Sequence, residues 1–435
     1  MPESICIIAR QFITCIGTLR DMVIRILIFT VIILSLDFYF FQALRTLTED
    51  LSVTKRVLVI ASYWFVSVSA LVFMLSFREI PEDGVWKVFK LYGISMVMII
   101  TISKVLGILP LIVDDIIRFG NLIANFFVHE GDARLATQSM SRGNFLSKMA
   151  IIVAAVPMAT FIYGMVKGAF DYQVRKTKIK LQDLPKGFQG LKIVQISDWH
   201  LGSYVSVNPV ARAVKMILEQ KADLIFFTGD LVNNRSSEVD PFIDTLKAIE
   251  APMGVYSILG NHDYGDYVEW PSSEAKEGNL KRLIDIQGEM GWKVLLNENV
   301  VLEKGGDKLA ILGVENWGAM MRFPKYGDLS KACQGTEDIK TKLLLSHDPS
   351  HWLGQVTQEY KDIDCTFSGH THGMQFGIEI PGFKWSPVQY VYKQWAGLYK
   401  DGSQQIYVNR GLGCLGYMGR VGILPEISVF ELESA

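Results

Sequence analysis

The 435-residue sequence predicts an α/β sandwich, sheets inside and helices outside, preceded by an α-helical membrane region. Three observations carry that prediction. Long, nearly uncharged apolar runs fill residues 1–170. From Leu191 onward, short β-branched runs alternate with helical ones. Five of the seven histidines, finally, sit in short polar motifs directly after strand-like runs.

In the first region, Met22–Leu44, Val57–Phe77, Leu91–Val113 and Met149–Met165 are each long enough, or nearly so, to cross a hydrocarbon core of about 30 Å as a helix. Residues 1–170 are therefore read as a membrane region with four spans, in contact with membrane lipids. Asp37 and Lys104 fall inside spans, where charge is expensive; both lie near helix ends and are expected to snorkel outward. Asp114–His129 alternates charge and bulk and is expected to form an amphipathic helix at the interface, with a plain connecting helix as the alternative. Residues 1–21 are weakly patterned, and Met22 is an alternative start. His129 is assigned no role.

Lys and Arg near the spans number ten on the side of both termini (Arg10, Arg20, Arg78, Lys87, Lys90, Lys167, Arg175, Lys176, Lys178, Lys180) and seven on the other (Arg45, Lys55, Arg56, Arg118, Arg134, Arg142, Lys148). The bias favours both termini, and with them residues 191–435, on the cytoplasmic side of a cell membrane. A start at Met22 removes most of it. The net charge of −2 gives no electrostatic support for nucleic-acid binding. Cys6, Cys15, Cys333, Cys365 and Cys414 show no paired spacing, hence neither a disulfide framework nor a thiolate metal site.

Residues 171–190 read as a basic linker and 191–435 as the α/β domain. Ile193, Val194 and Ile196 mark a buried strand that runs into Asp198-Trp199-His200. Residues i and i+2 of extended chain point to one side, so Asp198 and His200 form two arms of a metal site. Leu224–Phe227 leads into Gly229-Asp230, Val255–Leu259 into Gly260-Asn261-His262-Asp263, Leu343–Ser346 into His347, and Cys365–Ser368 into Gly369-His370-Thr371-His372-Gly373. Strands ending in ligand-type residues point to one rim, where open α/β sheets collect ligands. Helices are expected at Pro209–Lys221, Pro241–Ile249 and Gly278–Met290. Further strands are expected at Trp292–Leu302, Lys308–Val314, Ile406–Asn409 and Glu426–Leu432.

The ordered set D-x-H, G-D, G-N-H-D, H and G-H-T-H-G over residues 188–433 resembles the calcineurin-like metallophosphoesterase superfamily. Membrane helices before the domain, with Asn409–Gly413 and Pro425–Ile427 near its end, are similar to a membrane-anchored bacterial branch. The resemblance implies a four-layer α-β-β-α sandwich with two divalent metal ions at one edge. One ion would take Asp198, His200, Asp230 and His372. The other would take Asp230, Asn261, His347 and His370, so that Asp230 bridges. Imidazole with carboxylate suits Mn, Fe or Zn, and two such ions can clamp a phosphoryl group. By the same resemblance His262 is the catalytic histidine, stabilising the transferring oxygens or protonating the leaving group, and Asp263 orients it.

Met374 stands where the family often has a second glycine. Trp199 either walls the pocket or packs, His351, four residues beyond His347, is expected at the surface with contact to a substrate phosphate as the alternative, and Glu315-Asn316-Trp317 lies where it could line the pocket. A binding protein on an inactive fold would lack a ligand, and none is lacking. A transporter would show paired intramembrane charges or broken helices. The expected activity is hydrolysis of a phosphodiester, phosphomonoester or pyrophosphate. Family precedent includes a lipid-linked substrate, UDP-2,3-diacylglucosamine.

Overall fold

The computed structural model describes residues 2–127, 134–320 and 324–435, with the backbone alone for 2–23, 25, 124–127 and 134–143. His129 lies outside them. The chain divides into two compact units, Met1–Ile162 and Tyr163–Ala435.

The first unit is built from helices α1 (Pro2–Leu47), α2 (Val53–Ser76), α3 (Gly84–Phe127) and α4 (Arg134–Val166), the last running on into the second unit. Four helical segments among the described residues are long and apolar enough to cross a membrane: Ile26–Leu47, Val53–Ser76, Gly84–Ile123 and Asn144–Phe170. The 44 residues of α3, at 1.5 Å each, make a rod of about 66 Å. Its continuity corrects one expectation: Asp114–Phe127 is no separate interfacial helix but the far end of α3.

A second correction concerns Asp37 and Lys104. Neither snorkels outward; both are buried and form a salt bridge between α1 and α3. Lys104 Nζ also donates to Ser67 Oγ of α2 at 2.8 Å and lies 4.7 Å from the Tyr63 ring centroid. The Tyr63 hydroxyl donates to the Asp37 carbonyl at 2.7 Å. A charge without a partner in a low-dielectric helix bundle costs far more than a paired one, so the two find each other. Beside them lies a cavity of about 240 Å³ whose other walls include Leu36, Ala70, Met74 and Met98.

In the second unit, β1 (Gln173–Leu181), β2 (Lys192–Ile196), β3 (Leu224–Phe227), β4 (Val255–Ser257), β5 (Trp292–Val294), β6 (Glu298–Lys304) and β7 (Asp307–Gly313) are followed by β8 (Lys342–Leu345) and β9 (Cys365–Ser368). Then come β10 (Ile378–Ile380), β11 (Phe383–Trp385), β12 (Gly397–Asp401), β13 (Gln404–Val408) and β14 (Glu426–Ser434). One six-stranded sheet has the order β1-β14-β2-β3-β4-β5, the other β12-β13-β9-β8-β7-β6, and β10-β11 is a separate hairpin.

Alternation along the strands explains why these runs are apolar throughout. In β2 and β3, Ile193, Leu224 and Phe226 face the second sheet and meet Leu309, Leu343 and Phe367. Their neighbours Val194, Ile196, Ile225 and Phe227 face outward onto helices α5 (Val207–Leu218) and α6 (Ser273–Glu289), through Val210, Val214, Leu283 and Ile286. The second sheet likewise buries Ala310, Leu312, Leu344 and Ile406 under Leu329, Ala332, Trp352 and Val356. A strand covered on both faces needs no polar side. The result is the four-layer α-β-β-α sandwich that the resemblance implies.

Two boundaries differ from expectation. The linker expected over 171–190 contains β1, a nine-residue strand in parallel register with β14. The single strand expected over Trp292–Leu302 is two, because Asn297 adopts φ 60° and sends β5 and β6 into different sheets. The Asn297 side chain stabilises that turn by accepting from the N–H groups of Glu315 and Asp328 at 3.1 and 2.7 Å.

Candidate metal centre

The site lies where β2, β3, β4, β8 and β9 end. β2, β3 and β4 run parallel in one sheet, and β8 and β9 run parallel in the other. Each strand's last apolar residue is followed within a few positions by a polar one in tightly turned chain. Asp198, His200, Asp230, His370 and His372 all have left-handed backbone, with φ from 50° to 73°. Such positions are unfavourable for L-residues other than glycine and gather at functional sites. Two glycines make room: a methyl group at Gly260 would lie 2.2 Å from Asp230 Oδ1, and one at Gly369 would lie 2.1 Å from Asp198 Oδ2.

All seven residues proposed from the sequence as ligands lie at this rim. Asp198, His200 and His372 bring their ligand atoms within 4.8 Å of one another, and so do Asp230, His347 and His370. Nε2 of His200 is 3.0 Å from Nε2 of His372, which is 3.3 Å from Asp198 Oδ1. Asp230 Oδ2 stands between the groups, 3.6 Å from His200 Nε2 and 3.1 Å from His347 Nε2. The second Asp198 role is local: its two oxygens accept the His370 N–H at 2.9 and 3.0 Å.

The donor atoms fit cations. His347 Nδ1 donates to the Thr228 carbonyl at 2.7 Å, which leaves Nε2 as the lone-pair nitrogen facing the site. Asn261 Nδ2 donates to the Tyr267 hydroxyl at 2.8 Å, which turns Oδ1 inward. Asn261 Oδ1 is buried without a hydrogen bond among the described residues, and His347 Nε2 has none beyond its approach to the Asp230 carboxylate. Buried polar atoms of this kind are rare unless something else binds them. Burial opposes charge on Asp198 and Asp230, yet the facing histidines, His372 and His347 foremost, hold both carboxyls below the usual range. Against the same burial, Asp230 first among its neighbours holds His347 up to about 10 while Nε2 faces that carboxylate alone, and a bound cation would take the place of that proton. Burial pushes His200 and His370 down, towards the neutral form that a metal requires.

His262 sits at the open side of this cluster, half-buried, its ring centroid 4.9 Å from that of His200. Its N–H donates to Asp230 Oδ1 at 2.8 Å, and its Nδ1 donates to the Asn233 carbonyl at 2.8 Å. The orienting group is thus Asn233, not Asp263 as expected. Asp263 instead accepts four backbone N–H groups. Oδ2 takes those of Asp230 and Gly260, each at 2.9 Å, and Oδ1 those of Leu231 and Val232 at 2.9 and 3.2 Å. A buried carboxylate is well placed to satisfy donors that a sharp turn strips of partners.

Other expectations resolve simply. Trp199 is fully buried and packs. His351 is buried, not at the surface: it bonds Ser346 Oγ at 2.8 Å and Gln355 Oε1 at 2.9 Å, and burial pushes it down to about 4. Glu315 accepts from Tyr264 and Asn297, behind the His262 loop. Three contributors carry no sequence signal. Tyr392 Oη is 2.8 Å from His370 Nε2, Asp348 Oδ2 is 3.7 Å from the same atom, and Arg420 Nη2 is 3.2 Å from His372 Nδ1. Each is distant in sequence from its partner or lacks a motif, although Asp348 follows His347 directly.

A model of the calcineurin-like phosphoesterase domain matches residues 191–374, and one described as a probable calcineurin-like phosphoesterase transmembrane domain matches residues 22–169. The uncharacterized metallophosphoesterase YkuE of Bacillus subtilis is 34% identical over 305 residues, 68% of this chain and 99% of that protein. The transmembrane protein with metallophosphoesterase domain of Danio rerio is 28% identical over 327 residues, 73% of this chain and 68% of that protein. At 34% identity over almost all of YkuE, and with both family models matching, this chain is a member of the calcineurin-like metallophosphoesterases: a membrane protein and a hydrolase of phosphoesters.

Proposed function

We propose that Asp198, His200, Asp230, Asn261, His347, His370 and His372 hold two divalent cations (Mn, Fe or Zn), with Asp230 shared between them, and that the enzyme hydrolyses a lipid-linked phosphoester at the cytoplasmic face of the cell membrane. The observation that carries the two-cation reading is a pair of facing groups, Asp198 with His200 and His372 and Asp230 with His347 and His370, each with its ligand atoms within 4.8 Å of one another, and Asp230 Oδ2 standing 3.6 Å from His200 Nε2 and 3.1 Å from His347 Nε2. Bound there, the ions supply Lewis acidity towards a phosphoryl oxygen and an activated water.

The chain's own groups do the rest. The Asn233 carbonyl fixes His262 Nδ1 as a donor, so Nε2 is the atom left to carry a proton to the leaving oxygen. Asp263 holds the loop that presents Asp230. The lipid-linked substrate is supported by tethering: the last candidate span ends at Phe170 and β1 begins at Gln173. UDP-2,3-diacylglucosamine is one substrate of that class. The cytoplasmic placement rests on the Lys and Arg bias and is tested by a C-terminal reporter, which a periplasmic signal would contradict.

Metal content and rate of two variants test the site. Asp230→Ala should lose metal and rate together. His262→Ala should keep both ions and lose roughly two to four orders of magnitude in turnover, less with a nitrophenol leaving group. If His262→Ala strips metal as Asp230→Ala does, His262 is a ligand and the role proposed for it is wrong.

A further inference from the structure

The hairpin β10–β11 is built inside out. Its register pairs Ile378 with Trp385, Glu379 with Lys384 and Ile380 with Phe383 across a Pro381-Gly382 turn in which Gly382 has φ 81°. Side chains alternate between faces, so the charged pair turns to the protein and the apolar pairs turn away. Glu379 is gripped from within by Arg175 at 2.7 Å and Arg410 at 2.6 Å. Lys384 bonds the Ala396 carbonyl and the Tyr399 hydroxyl. Ile378, Ile380 and Phe383 are left 48%, 58% and 53% exposed, with Tyr390 and Val391 close by in sequence at 76% and 56%. An ordinary solvated hairpin shows the opposite pattern, and an apolar patch of this kind marks a surface that meets something other than water.

The hairpin's base tells what that is. Gly377 N–H donates to the Val421 carbonyl at 2.9 Å, and Phe376 and Val421 form a β-bridge. On the other side of the same short segment, Arg420 N–H donates to the carbonyl of Gly164 at 3.1 Å, inside the last candidate span. One strand's width of chain, roughly 5 Å, therefore separates the hairpin from the end of a membrane helix. The same Arg420 contacts His372. Hairpin, span end and metal rim meet at two adjacent residues, Arg420 and Val421.

We propose that the outer face of β10–β11, with Tyr390 and Val391, seats in the lipid bilayer beside the metal centre, so that a phosphoester carried on a membrane lipid reaches the rim without crossing water. The bilayer contact rests on the hairpin's own pattern, and only the delivery of substrate rests on the phosphoesterase reading above.

The test uses the full chain in phospholipid nanodiscs. Phe383→Cys carries an environment-sensitive fluorophore, with Ser403→Cys, in the exposed turn between β12 and β13, as control. Doxyl-labelled lipids should quench position 383 at least roughly threefold more than position 403, as expected for side chains seated at the acyl boundary. Equal quenching at the two positions overturns the proposal. So does a blue-shifted but unquenched label at 383, which would mean a protein partner or a second copy of the chain. In the double variant Ile380→Glu/Phe383→Glu, hydrolysis of a soluble nitrophenyl phosphoester should stay within roughly twofold of wild type, while hydrolysis of bilayer-embedded lipid phosphoesters falls at least about tenfold, a floor well below the loss of two fully buried apolar anchors. Equal loss on both substrates overturns delivery by the hairpin. Absence of any hydrolysis by wild type would sink the phosphoesterase reading and leave the quenching result standing.

Discussion

Asp263 Oδ2 accepts the backbone N–H of Asp230 at 2.9 Å, so one carboxylate fixes the place of the other. Asp263→Asn removes acceptor capacity under four backbone donors and sets an NH₂ against some of them. Hydrogen bonds to charged groups are each worth about 1.5–3 kcal/mol, and partners of this kind change metal affinity by about 10- to 100-fold. The variant should bind metal more weakly by that order and melt several degrees lower. Calorimetric metal titration and thermal unfolding together check this.

A pH effect away from the site is expected at Asp364. Burial, and to a lesser degree Asp183 and Asp362, push its carboxyl up to about 6, although it accepts the Lys342 N–H at 2.8 Å. A carboxyl raised on folding stabilises the protein fully below its unfolded value near 4, and that contribution is lost as pH rises through about 6. Asp364→Asn should therefore raise the melting temperature at pH 7.5, by an amount equivalent to at most about 3 kcal/mol. The gain should vanish below pH 4. Thermal unfolding at both pH values measures it, and an equal shift at each would refute it.

Truncation separates strand from linker. A fragment beginning at Gly168 keeps Phe170 against the core and β1 against β14. One beginning at Gly187 loses β1 and bares a nine-residue edge of β14. Exposed edges of that length aggregate. The longer fragment should be soluble and bind metal and the shorter should not, as gel filtration and metal analysis would show.

In the membrane unit, Lys104→Met should be far more damaging than Asp37→Asn combined with Lys104→Met. Removing one partner of a buried pair costs about 3–5 kcal/mol, whereas replacing both can be neutral. Unfolding in detergent measures the difference; single and double variants of equal stability would show that the pair is not desolvated.

Much of this was legible because each motif follows an apolar strand, and a strand's end is where its polar residues must emerge. The gathering of the proposed ligands, from Asp198 to His372, needed only the premise of a shared rim. Asn233 and Arg420 stayed hidden because a backbone carbonyl has no side-chain signature, and because an arginine 48 residues after its histidine partner meets it only through folding. Asp37 and Lys104 misled because their place near helix ends said nothing of which helices would pack together. Residues 171–190, read as a basic linker, misled because Lys176, Lys178 and Lys180 lie on one face of an edge strand whose Ile179 and Leu181 are buried.

The left-handed backbone at Asp198, His200, Asp230, His370 and His372 has a further consequence. Each such residue sits about 1–3 kcal/mol above relaxed chain, so the loops at the rim are held shut by what they bind more than by their own conformation. Drained of cations, the catalytic unit should open there first, by local excursions that leave the two sheets closed. Its amide protons at the rim would then exchange with solvent long before those of β2, β3 or β9, and the enzyme would wait for metal as a stiff sandwich with one breathing edge.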